Sequence, residues 1–80
     1  ENPKSVEQRI RRAASTGLVN LAHLGLEDYS NDVFTEFSNT LYNFEQVRRE
    51  MDYIRRKSDK HGNVKIRSFL NALLSYCENV

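Results

Sequence analysis

Four basic side chains and a glutamine crowd the first dozen residues: Lys4, Gln8, Arg9, Arg11 and Arg12, with Ser5 among them. An arginine guanidinium can fork onto the acceptors of guanine and a glutamine amide onto adenine. Lysine and serine hold phosphate oxygens. Such side chains along one helix are what reading the major groove of a duplex requires. The same residues admit a plainer reading, because long polar side chains also simply solvate the outer face of a helix. Residue types alone leave both open.

The element that must carry these groups is a helix. Placed at 100° per residue, Val6, Ile10, Ala13, Ala14, Gly17, Leu21 and Leu24 gather on one face, with Lys4, Gln8, Arg11, Arg12 and Ser15 opposite. Ser5 and Gln8 match a capping box, so the pattern predicts a helix from about Val6 to His23 or Leu24, with Gly25 just past its end. Leu26 to Ser30 read as a loop. Asn31 or Ser30 caps a second helix on which Val33, Phe34, Phe37, Leu41 and Tyr42 recur at helical spacing. Asn43 and Gln46 repeat the capping-box pattern. Phe44, Val47, Met51 and Ile54 then mark a third helix ending near Lys57. Residues 58–63 form a loop, and Ile66, Phe69, Leu70, Leu73, Leu74 and Cys77 stripe a fourth helix. The expected fold is an all-α bundle of about four helices forming one domain over residues 1–80. Its expected core joins Phe34, Phe37, Phe44, Met51, Phe69, Leu70, Leu73 and Leu74 to Ile10 and Leu21.

Charge distribution says more than the net charge of +1. Between Leu26 and Gln46 there are five acids and no base, whereas Val47 to Arg67 hold eight bases against three acids. If the two basic ends meet in the fold, they form an electrostatic footprint for phosphate. Within the second basic segment, Arg48/Arg55 and Arg49/Arg56 repeat seven residues apart, two turns along a helix. Such a ridge can follow a phosphate backbone, which makes Arg55 and Arg56 candidate contacts. It can equally solvate the third helix and pair with Glu45, Asp52 and Asp59.

Other chemistries find little here. His23 and His61 belong to no metal-ligating pattern, and the one cysteine, Cys77, lies on the apolar stripe of the last helix as an expected core thiol. Glycines at 17, 25 and 62 make no phosphate cradle. Neither an enzyme nor a cofactor is expected. No apolar run approaches the ~20 residues that span a bilayer, so a cytoplasmic protein without membrane contact is expected.

The run Val6-Glu7-Gln8-Arg9-Ile10-Arg11-Arg12-Ala13, followed by Leu21-Ala22-His23-Leu24-Gly25, resembles the DNA-binding C-terminal region of YcbB/GlnL-type bacterial response regulators. The similarity continues through Asp28-Tyr29-Ser30-Asn31, Phe34, Asn43-Phe44, Val47 and Met51, covering roughly Lys4 to Ile54. Val6-Glu7, Ile10-Arg11 and Ala13 are more faintly similar to the recognition helix of the sporulation master regulator of spore-forming bacteria. The resemblance implies a transcriptional regulator of a two-component system. A sensor histidine kinase would act on a receiver domain ahead of this region, and better-known members respond to glutamine. It places recognition positions on Ser5, Gln8, Arg11 and Arg12, with Lys4 and Arg9 at the flanks. Glu7 would read a cytosine amino group, orient a neighbouring arginine or serve the helix end.

A helix-turn-helix needs a supporting helix ahead of its recognition helix. The chain is therefore expected to be a C-terminal fragment of a longer regulator lacking that helix and the receiver domain. Double-stranded DNA is the expected partner, and a second copy of the chain is a candidate. The alternative is a helical protein-interaction or dimerisation module without direct DNA contact.

Overall fold

Proline at the first position of a helix loses no hydrogen bond, because the first four N–H groups have no intrahelical acceptor. Pro3 therefore opens the first helix, α1 (Pro3–Glu27), and Asn2 caps it: the Asn2 Oδ1 accepts the Ser5 N–H at 2.8 Å. The computed structural model describes residues 2–78; residues 1, 79 and 80 of the expected domain lie outside the described residues. Three further helices follow, α2 (Asp32–Thr40), α3 (Phe44–Ile54) and α4 (Ile66–Glu78). Asparagines cap two of them: Asn31 accepts from the N–H groups of Val33 and Phe34, and Asn43 from those of Glu45 and Gln46. The all-α, four-helix expectation holds, and no strand occurs among the described residues.

At ~1.5 Å per residue the 25 residues of α1 extend about 37 Å. That matches the 38 Å longest dimension of the molecule, so α1 is its spine. Its C-terminal half carries the core. Leu18, Leu21 and Ala22 are buried against Phe34 of α2 and Val47 and Met51 of α3. Phe37, Tyr42, Phe44 and Ile54 pack around this centre half-buried. Tyr42 ties three elements together. Its hydroxyl donates to the Ala14 carbonyl of α1 at 2.8 Å, and its ring lies 5.3 Å from that of Phe69 in α4.

Several expectations need correction. The capping residue of α1 is Asn2, not Ser5, which becomes part of the first turn. Gly25 does not terminate α1; it is a buried helical residue with the Phe34 ring against its backbone. Any Cβ there would stand 2.6 Å from Cδ1 and Cζ of Phe34. Tertiary packing, not the glycine's conformational freedom, explains the residue. The Asn43 cap forms, but Gln46 does not reach back to complete a box: its Oε1 accepts the Asn63 N–H at 3.0 Å instead.

A further correction concerns α4, which has no buried residue. Its inward edge is set by Phe69 on Tyr42 and Tyr76 on Phe37, the latter rings 5.5 Å apart. The apolar stripe is wider than the surface that edge covers. Leu70 is therefore only half-buried, while Leu73 and Leu74 are 41 % and 59 % exposed. Ile10 is likewise half-buried, and Cys77 is exposed, not a core thiol.

Candidate nucleic-acid interface

The expected recognition residues occupy the first three turns of α1, upstream of its first buried residue, Ala14. Lys4, Gln8, Arg9, Arg11 and Arg12 are exposed, and Ser5 is half-buried with its N–H accepted by the cap. Six candidate side chains thus share one short stretch of a helix anchored elsewhere. Glu7 takes one of the roles open to it: Arg11 Nη2 donates to Glu7 Oε1 at 3.2 Å across one turn. Both side chains are about half exposed, at 51 % for Arg11 and 54 % for Glu7. Exposed pairs at this spacing contribute only about 0.3–0.5 kcal/mol, so Glu7 orients Arg11 without immobilising it. The first turn of α1 carries Lys4 and no acid, whereas α2 and α3 have Asp32 and Glu45 there. No acid of the first turn therefore offsets the partial positive charge of that helix end.

Arg55 and Arg56 are held by a different element, the end of α3, and the even ridge expected of them does not form. The helix stops at Ile54, and Arg55 is its C-cap. Arg56 then takes a left-handed conformation, φ 61°. The Lys57 N–H donates to the Asp52 carbonyl at 2.7 Å and that of Arg56 to Tyr53 at 3.0 Å, the paired bonds of a Schellman ending. This reversal takes Arg56 off the helical path that would align it with Arg49. Arg55 Nη2 donates to Asp52 Oδ1 at 2.9 Å, one of the pairings expected if the segment merely solvates its helix.

Sequence reasoning missed one polar cluster. Glu50 is 2 % exposed, yet it sits among charged neighbours in sequence. Its Oε1 accepts the Gly62 N–H at 2.9 Å, and both its oxygens lie 3.2 Å from Nδ1 of His61. The imidazole stacks on Tyr53, ring centroids 3.6 Å apart. Gly62 approaches the Gln46 carbonyl so closely that a Cβ would collide with it. The signal was legible: Glu50 falls on the Val47, Met51, Ile54 stripe, and an acid on an apolar stripe needs buried donors. The cluster fastens the 58–63 loop to α3. Among the described residues, no group of three or more His, Cys, Asp or Glu side chains is placed to hold a metal ion. Among them too, no helix is long and apolar enough to cross a membrane.

The architecture is that of a small all-α domain presenting an exposed, arginine-bearing helix end. The chain belongs to the YcbB domain family, whose model matches residues 1–73. The match runs beyond the Lys4–Ile54 stretch of the sequence resemblance, through the clamped loop and more than half of α4. No curated protein and no solved structure matches the chain.

Proposed function

We propose that this domain binds duplex DNA, entering the major groove with the first three turns of α1. It would be the output domain of a cytoplasmic bacterial two-component regulator. A sensor histidine kinase would act on a receiver domain outside the present sequence, in a circuit that resemblance alone links to glutamine. The observation that carries the reading is the exposure of Gln8, Arg9, Arg11 and Arg12 on a stretch of α1 that contributes nothing to the core. A helix about 10–12 Å across fits a groove about 12 Å wide, so a helix end whose arginine-bearing side is uncovered is the geometry that groove entry needs. Lys4 and Ser5 would hold phosphates at the flank. Arg55 and Arg56 would contribute charge, not base contacts.

Duplexes selected for affinity from a random pool test this directly, with a scrambled control at two salt concentrations. Arg12→Ala should weaken the selected duplex by about 1–3 kcal/mol if the side chain reads a base. If it holds a phosphate, both duplexes should weaken alike and the salt slope should fall by about one. Melting should be unchanged, because no core contact is removed. Absence of salt-dependent duplex binding by the parent protein would refute the reading. The second reading, a protein-interaction module, draws on a separate observation: the uncovered leucines of α4.

A further inference from the structure

The outer face of α4 is apolar and uncovered, and its charges are arranged for one partner in particular. Leu73 and Leu74 are 41 % and 59 % exposed, Cys77 is exposed, and Leu70 is half-buried. Beside them an open apolar cleft of about 390 Å³ runs between α4 and the first turns of α1, with Val6 and Ile10 opposite Ile66 and Leu70. Within α4 the charged residues are Arg67 in the first turn and Glu78 at the end. They are eleven residues apart, about 20° in helical projection, so both lie on one line with Asn71 and Leu74 between them.

We infer that α4 pairs antiparallel with α4 of a second copy of this chain, about a two-fold axis crossing the middle of the helix. That operation brings Arg67 of each copy beside Glu78 of the other and sets Leu70 of each copy beside Leu74 of the other. A two-fold interface must be self-complementary, and a helix with a base at one end, an acid at the other and leucines between meets that demand antiparallel. Parallel pairing would place like charges together at both ends. Opposed helix dipoles add to the preference.

Area sets the strength. A contact one helix wide and about 20 Å long buries on the order of 400 Å² per copy, against about 800 Å² per partner in a standard interface. The pair is therefore at the small end of specific interfaces, and its association is sought at high protein concentration. The inference is independent of the DNA-binding reading, because none of the residues assigned to DNA lies on α4.

Sedimentation equilibrium of the whole chain from about 10 µM to 1 mM is the test. A monomer–dimer equilibrium is expected, with Leu74→Lys shifting it to monomer while helicity and melting temperature stay unchanged. Arg67→Glu and Glu78→Arg should each weaken association at least about fivefold, since symmetry breaks both bridges at once. The combined Arg67→Glu/Glu78→Arg exchange should restore it. Restoration separates pairing in this register from a general effect of charge on solubility. A chain that stays monomeric at 1 mM overturns the inference and assigns the face to a partner other than a second copy. A dimer indifferent to all these substitutions overturns it too.

Discussion

Replacing Gly25 by alanine sets two effects of opposite sign against each other, and the structure decides which prevails. Glycine inside a helix is less favourable than alanine by about 0.8–1.0 kcal/mol, so propensity alone makes Gly25→Ala stabilising. The new methyl, however, would lie 2.6 Å from two carbons of the Phe34 ring, where ordinary carbon contacts are about 3.5–4.0 Å. Cε1 of the same ring would be closer still, so the ring must retreat by more than an ångström. It is 2 % exposed and packed into the centre of the core, so nothing soft stands behind it. Overpacking of this kind costs about 1–3 kcal/mol, and occasionally more, which outweighs the propensity gain in all but the mildest case. A net loss of about 1–2 kcal/mol lowers the melting temperature of a domain this size by about 4–15 °C. Thermal unfolding followed by circular dichroism measures it. Phe34→Leu supplies the internal control: that change is itself destabilising, but in its background the added methyl has room. Gly25→Ala should then become neutral or stabilising, with a coupling of at least about 1 kcal/mol. A higher melting temperature for Gly25→Ala in the parent chain would refute the packing argument outright.

Three other changes test single features. Arg56→Gly should raise stability by about 1 kcal/mol, because a left-handed residue at φ 61° favours glycine; a lower denaturation midpoint would mean that the arginine side chain, not its backbone, matters there. Ser38 is wholly buried and its Oγ has no hydrogen-bond partner among the described residues, so Ser38→Ala should be neutral to stabilising by about 1 kcal/mol in urea unfolding; clear destabilisation would reveal a partner for the hydroxyl. Burial raises the Tyr42 hydroxyl above its ordinary value of 10.0, so its contribution is complete below pH 10 and declines as pH rises through the higher folded value. Tyr42→Phe should cost about 1 kcal/mol at neutral pH, for the lost bond to Ala14, and flatten that alkaline decline. Tyr76 should preserve part of the slope, since its hydrogen bond to Glu36 chiefly raises it as well. A decline equally steep in Tyr42→Phe would show that Tyr42 is not its source.

Periodicity and capping chemistry are local, and what they dictate was legible. Asn31 and Asn43 start α2 and α3 where their side chains serve the next N–H groups, and Phe34, Leu21 and Met51 reach the core as their spacing demands. The errors arise where a distant element decides. Gly25 followed by a loop-like stretch has the local signature of a helix end, and only the Phe34 ring explains a glycine carried through the helix. The stripe of α4 is as leucine-rich as a core helix, yet how much of it is covered depends on how far Phe69 and Tyr76 roll it toward Tyr42 and Phe37. Gln46 follows the same logic: its side chain accepts the N–H of Asn63, seventeen residues on, in a loop that Glu50 fastens through Gly62, and does not serve its own cap.

The division of labour along α1 bears most directly on function. All its buried residues lie between Ala14 and Gly25, so the core fixes the second half of the helix and leaves the first half to extend from it. A free segment of about eleven residues would be marginal as a helix, because nucleation is costly. Continued from an anchored helix and capped by Asn2 at its far end, the same segment needs only propagation. Val6 and Ile10 face Ile66 and Leu70 of α4 across an open apolar cleft on one side, and the arginine-bearing side is exposed. Side chains on that exposed side can therefore change what the domain binds at little cost to its fold.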